Sequence, residues 1–235
     1  MKINPEGDAM FHRHDLLQFS PQAAQQIFLL WQAAQPHDWL SSLPDWQRSF
    51  NAGDIPGIVR RHLPAEAKTE IALGFSFPMR IDGQRQRFAI TLPAQEVVRR
   101  ITPFEAAAMA FLASSPALGA LVDLRERFLQ LGCLPGVWGS AALQIVSGFS
   151  YTDNASDLDI VIEACHPEQL QAVYQSMLQL ERQHRLRIDT EVLWPTGYGS
   201  SLKELMTSGN QVLGKSLNDV RLFDKTALLS LVNKE

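Results

Sequence analysis

The stretch Ser156-Asp157-Leu158-Asp159-Ile160-Val161-Ile162 constrains this chain more than any other. Its apolar residues mark a β-strand with one buried face. Side chains alternate across a strand, so Asp157 and Asp159 project to the same side. Such a strand needs a sheet and a covering layer, and it leaves two carboxylates facing outward together. Upstream, Leu134–Trp138 reads as a short strand feeding Gly139-Ser140, and Ala141–Val146 as a turn or two of helix. Glycine at that place lets a phosphate approach the backbone. Ser140 and the amides that follow, at a helix N-terminus, can donate hydrogen bonds to it. Paired carboxylates suit Mg²⁺, which takes hard oxygen ligands and completes its shell with substrate phosphates. Together these parts equip a site for nucleotidyl transfer. Each is weaker alone: a Ser-Asp-x-Asp also forms where a turn enters a solvated strand edge, Ser-x-Asp pairs cap local backbone, and a glycine can merely end a strand.

The rest of the chain reads as α+β. Ser20-Pro21 is a helix cap with proline at the first helical position, predicting a helix over 21–34. The run 36–56, with Pro36, Pro44, Gly53 and Pro56, reads as a long irregular connection. Strand-like segments follow at Gly57–Arg61, Ile71–Phe77 and Arg87–Leu92, the last two joined by a turn at Ile81-Asp82-Gly83-Gln84. Residues 1–15 are polar and are expected to be loose. Trp31, Trp39 and Trp46 are expected to cover the core. Residues 1–100 thus form a small β-rich unit with one helix. Beyond them, 101–235 should form a mixed sheet with flanking helices: helices at 104–113 and 117–131, a strand at Leu158–Ile162, a helix from Pro167 to about Arg182, a strand at Leu186–Leu193, a helix near 201–208 and a strand near 219–223.

A third acid, Asp189, lies on Arg187-Ile188-Asp189-Thr190-Glu191-Val192. An adjacent strand would bring it beside the pair, to share a metal or to take the proton of an attacking hydroxyl. Arginines gather in the middle of the chain, at positions 60, 61, 80, 85, 87, 99 and 100. Of these, Arg85 and Arg87 are candidate phosphate contacts, because guanidinium suits bidentate phosphate binding. Charged strand residues are more often a solvated face. Lys215, in Val-Leu-Gly-Lys-Ser, is a candidate to neutralise a leaving pyrophosphate. His12-x-His14 lacks converging ligands and is expected to order the N-terminal segment rather than bind metal. The net charge of −4 argues against a nucleic-acid-binding face. No apolar run reaches membrane length, and the first residues carry no apolar signal core. The two cysteines, Cys133 and Cys165, form no metal or redox motif. A cytoplasmic, reducing location is the expectation.

Gly-Ser, then Asp-x-Asp, then a later strand Asp resembles the polymerase-β-type nucleotidyltransferase superfamily. Residues 141–156 make a longer gap than is usual there. The stretch Val137-Trp138-Gly139-Ser140…Thr152…Ser156-Asp157-Leu158-Asp159 resembles the phosphoribosyl-dephospho-CoA transferases, and among them the holo-acyl-carrier-protein synthases of malonate decarboxylase. Arg13-His14-Asp15-Leu16-Leu17, Val59-Arg60-Arg61, Gly74-Phe75-Ser76-Phe77-Pro78, Gln84-Arg85-Gln86-Arg87, Lys203-Glu204-Leu205 and Val212-Leu213-Gly214-Lys215 agree in order. The likeness spans roughly 12–224. Thr190 stands where that family is expected to carry glycine, and Tyr198-Gly199-Ser200-Ser201 replaces a more apolar stretch.

The resemblance implies a nucleotidyltransferase-type catalytic sheet using Mg²⁺ on Asp157, Asp159 and Asp189. It implies triphosphoribosyl-dephospho-CoA as donor and a serine of the apo acyl carrier subunit of malonate decarboxylase as acceptor. An acidic carrier would dock on the arginines of 60–100. Three other readings remain open: a superfamily enzyme using an ordinary nucleoside triphosphate, an inactive nucleotide-binding homologue, and a citrate-lyase-type carrier as acceptor.

Overall fold

In the computed structural model, residues 11–34, 54–81 and 84–232 are described. Trp39, Trp46 and the tip of the turn at Asp82-Gly83 lie outside them. Five strands build an antiparallel sheet in the order β4-β3-β2-β1-β5. These are β1 (Leu16–Phe19), β2 (Gly57–Val59), β3 (Ile71–Ile81), β4 (Gln84–Leu92) and β5 (Val97–Ile101). Helix α1 (Pro21–Ala33) starts at the Ser20 side chain, which accepts from the Ala23 amide, and carries Pro21 in its first turn as expected. Ile27, Phe28 and Trp31 of α1 pack on Leu17, Phe19, Val59, Leu73, Phe75 and Phe77 in one apolar core. Leu16 points the other way, into the second core.

That second core supports a mixed sheet ordered β11-β10-β9-β8-β7-β6. Its strands are β6 (Pro135–Trp138), β7 (Leu158–Glu163), β8 (Ile188–Leu193), β9 (Gly199–Ser201), β10 (Gln211–Lys215) and β11 (Val220–Asp224). Helices α2 (Pro103–Ala108), α3 (Pro116–Gln130), α4 (Gly139–Ser147), α5 (Pro167–His184), α6 (Leu202–Thr207) and α7 (Lys225–Ser230) complete the chain. Only β7 and β8 run parallel, because α5 crosses between them. Leu158, Ile160 and Ile162 of β7 and Ile188 and Val192 of β8 are buried with Leu124, Phe128, Val173 and Met177 of the helices. Strand alternation then turns Asp159, Val161 and Glu163, and Asp189, Glu191 and Leu193, to the opposite face.

Two expectations are corrected. Residues 11–15 are ordered: Phe11, His14 and Asp15 are buried. Their polar groups find partners remote in sequence, with Arg100 donating to Asp15 and Arg13 to Glu191. The helix expected over 104–113 stops at Ala108, and Met109–Ser114 leads without helix to the Ser115 cap of α3. Its alanine-rich sequence is helix-prone, so tertiary geometry overrides propensity there. No helix among the described residues is long and apolar enough to cross a membrane.

Candidate active site

Antiparallel pairing of β6 with β7 sets Trp138 opposite Asp159, and parallel pairing of β7 with β8 sets Asp159 beside Asp189. Gly139 follows Trp138 at φ 66° and opens α4. A Cβ at Gly139 would collide with Oδ2 of Asp159, so the glycine is needed both for its left-handed backbone and for the space the carboxylate fills. Helix α4 has no side-chain cap at its N-terminus, leaving its first amides available to an anion. Gly139→Ala is expected to cost roughly 1–3 kcal/mol in stability through strain and to displace Asp159. Parallel thermal unfolding and turnover measurements check this; wild-type values in both would show that the carboxylate is not seated against this turn.

The loop that carries Asp157 is braced from within. Gln144 Oε1 accepts from the amides of Tyr151 and Thr152 and from the Thr152 hydroxyl. Asp153 and Ser156 close a turn on each other, with the Ser156 hydroxyl donating to Asp153 Oδ1. Ser156 therefore does the local capping that a Ser-Asp pair often does, and Asp157 is left exposed at the strand's entry.

Burial pushes the Asp159 carboxyl up to about 7, with the neighbouring charges of Asp189 and Asp157 adding to the effect and Arg187 opposing it. A carboxylate held among others, with Arg187 offsetting them only in part, is a site short of positive charge. Asp189 is different: Arg187 closes on it through Nε and Nη2 at 2.9 and 2.8 Å. Among the described residues, no three His, Cys, Asp or Glu side chains form a ready-made metal group.

A cleft of about 1250 Å³ lies between the two sheets, lined by Gly139, Ser140, Asp157 and Asp159 on one side. Ile58, Gly74, Phe88 and Ala89 of the N-terminal sheet line it too. Arg61, Arg87 and Lys215 are exposed on its wall. Arg85 also lines it, but its guanidinium donates to the carbonyls of Phe77, Pro78 and Tyr151 and lies over the Tyr151 ring. It fastens the β3–β4 hairpin to the loop that carries Tyr151 and Asp157. Arg60 is likewise engaged, by Glu66 and the Leu73 carbonyl. Of the sequence candidates, Gly139, Ser140, Asp157, Asp159, Lys215, Arg85 and Arg87 share this cleft; Asp189 does not line it, although it adjoins Asp159 in the sheet.

Sequence reading did not single out Trp138 or Glu191 as site residues. Trp138 lines the cleft and precedes Gly139. Glu191 shares the outward face of β8 with Asp189 and pairs with Arg13 at 3.1 Å. The period of two along β8 contained that signal.

The description "Phosphoribosyl-dephospho-CoA transferase MdcG N-terminal domain" matches residues 12–103, and "Phosphoribosyl-dephospho-CoA transferase MdcG C-terminal domain" matches 102–226. A phosphoribosyl-dephospho-CoA transferase of Xanthomonas euvesicatoria pv. vesicatoria is 33% identical over 84% of this chain and 90% of its own length. One from Xanthomonas campestris pv. campestris is 31% identical over 93% of this chain and 97% of its own. One from Bradyrhizobium diazoefficiens is 28% identical over 95% of each. No solved structure matches the chain. With both halves matched in order and relatives aligned nearly end to end, the chain belongs to the phosphoribosyl-dephospho-CoA transferase family.

Proposed function

We propose that this transferase moves the 2′-(5″-phosphoribosyl)-3′-dephospho-CoA group from its triphosphoribosyl precursor to a serine hydroxyl of the apo acyl carrier subunit of malonate decarboxylase. The serine oxygen bonds to the phosphorus nearest the ribose. The bond from that phosphorus to the next bridging oxygen breaks, and pyrophosphate leaves. The observation that carries the reading is the meeting of Gly139, Asp157 and Asp159 in one cleft beneath an uncapped helix N-terminus. A nucleotidyltransferase-type arrangement of the catalytic sheet accounts for that meeting.

In this mechanism Ser140 and the first amides of α4 hold the triphosphate. Lys215, Arg87 and Arg61 offset its charge, and electrostatic stabilisation of this kind carries most of phosphoryl-group chemistry. Asp157 and Asp159 fit Mg²⁺: both are oxygen donors two residues apart, and Asp159, pushed up to about 7 by burial and by its acidic neighbours, is a carboxyl that a cation would return to its ionised form. Bound there, Mg²⁺ would supply charge neutralisation at the attacking and leaving oxygens. Asp189, beside Asp159 in the sheet and held by Arg187 at the edge of the cleft, would take the serine proton once the acceptor hydroxyl reaches that strand. The large cleft leaves room for the dephospho-CoA portion along the wall formed by Ile58, Gly74, Phe88 and Ala89. Cytoplasmic residence fits a substrate of this kind.

The test is intact-mass spectrometry of the apo carrier subunit incubated with the protein, Mg²⁺ and the triphosphoribosyl donor. A mass gain equal to the phosphoribosyl-dephospho-CoA group is expected, and none with Asp157→Asn. An unmodified carrier, with donor and carrier shown competent, would overturn the reading. Modification with ATP, GTP, CTP or UTP instead would identify an enzyme using ordinary nucleotides.

A further inference from the structure

We infer that His14 is a positioning residue for the phosphate-binding turn: stacked on Trp138 and held by Glu191, it fixes the Trp138–Ser140 backbone in the form that receives a triphosphate. The inference rests on the transferase reading above.

His14 is buried, yet its backbone has φ 74°. Left-handed backbone is unfavourable for a residue with a Cβ, and such strain persists only where the surroundings over-determine it. Here they do. The Asp15 amide donates to the His12 carbonyl, and Asp15 Oδ2 accepts from the His12 amide at 2.7 Å, closing a turn on either side of His14. The His14 amide donates to the Val59 carbonyl at 3.0 Å, tying that turn to β2. The strained conformation carries the imidazole out of the N-terminal sheet and onto the indole of Trp138. The ring centroids are 3.9 Å apart and the planes 26° apart. Nε2 lies 3.4 Å from Glu191 Oε1 and 3.2 Å from Arg13 Nη2, so the ring is also fixed in its own plane by the Arg13–Glu191 pair.

Trp138 is the last residue of β6, the residue before Gly139, and the register partner of Asp159. Its indole nitrogen donates to the Ile160 carbonyl, which leaves its outward ring face to His14. Movement of Trp138 would shift the first amides of α4 and the contact of Gly139 with Asp159 together. The imidazole is thus the piece of the N-terminal unit that sets the shape of the catalytic unit's phosphate turn.

The test uses the full chain with His14→Asn and His14→Phe. Asparagine tolerates left-handed backbone and removes the ring; phenylalanine keeps a ring for the stack. Calorimetric binding of inorganic tripolyphosphate with Mg²⁺ is measured beside donor and carrier KM, kcat and thermal unfolding. For His14→Asn, tripolyphosphate affinity should fall and donor KM rise by about tenfold or more, since misplacement by about 1 Å can cost a hundredfold. Carrier KM should stay unchanged. His14→Phe keeps the stack and loses the Glu191 contact, so its losses on both donor readouts should be clearly smaller than those of His14→Asn. A merely structural role would lower the unfolding midpoint and the active fraction while leaving both KM values alone, which would overturn the inference. Equal losses of tripolyphosphate affinity in both variants would also overturn it. If His14→Asn does not fold, His14→Gly, which adopts left-handed backbone freely and also removes the ring, replaces it under the same criteria. Absence of carrier modification by the wild-type protein would instead count against the transferase reading, because tripolyphosphate binding is scored without donor or carrier.

Discussion

Asp159→Asn is expected to leave a folded protein whose transferase activity has fallen by on the order of a thousandfold or more, the loss of about 4 kcal/mol of electrostatic stabilisation. The same substitution should stabilise the metal-free protein above neutral pH. Burial and the charges of Asp189 and Asp157 raise the folded-state carboxyl from 3.8 to about 7. The folded state therefore holds a proton that the unfolded state has already released across that interval. The stability this confers is complete below pH ~4 and is lost as pH rises through about 7. Asparagine carries no such proton. The unfolding midpoint of Asp159→Asn should thus draw above that of the wild type between pH ~4 and ~7 and stay above it at higher pH. With solvent screening discounted, roughly 2 kcal/mol is expected, a shift of about 4–8 °C for a chain of this size. Mg²⁺ should close the gap from the wild-type side. Thermal unfolding of both proteins over this pH range, with and without Mg²⁺, checks it; a gap that does not change with pH would show that Asp159 carries no excess proton.

The parts of this fold that local chemistry dictates were legible in the chain. Ser20-Pro21 and the proline at 167 each open a helix where the pattern places it. The alternation around Asp157 and Asp159 marks β7, and the β3–β4 hairpin follows from its two apolar runs. Strand β1 was not legible because it lies between the two cores. Leu16 faces one and Leu17 the other, so no period of two separates wet from dry. Strand β5 hid behind Arg99 and Arg100, which read as surface charge; Arg100 is in fact ion-paired to buried Asp15 across 85 positions of sequence. The site divides the same way. Gly139 and the acid pair announce themselves by type and spacing. Their contact depends on β6 meeting β7 in one register, and Arg85's commitment to backbone carbonyls depends on the hairpin meeting the Tyr151 loop. Spacing along a chain carries no information about such meetings.

The junction between the two halves is where one substitution should cost the most stability. Glu191 is nearly buried over Gly199, whose missing Cβ makes room for its carboxylate. Burial alone would push this carboxyl up; the His14 hydrogen bond and the charge of Arg13 hold it below the usual range. Arg13 grips both oxygens, through Nη1 at 3.1 Å and Nη2 at 3.2 Å, and also donates to the Lys215 carbonyl. Glu191→Ala would remove the anion from this bridge and leave a guanidinium, only 16% exposed, facing a void. Breaking a buried pair from one side costs about 3–5 kcal/mol. With residual solvent access and the Lys215 carbonyl still in place, about 3 kcal/mol is expected, lowering the unfolding midpoint by roughly 6–12 °C. Glu191→Gln, which keeps the shape and one acceptor, should lose less than half of that. A midpoint for Glu191→Ala within 2 °C of wild type would show that the halves are held without this pair, by Leu16 and Ile101 of the first sheet sunk into the core of the second and by hydrogen bonds such as Arg85 to the Tyr151 carbonyl. The charged bridge would then serve to aim His14 at Trp138 rather than to keep the protein folded.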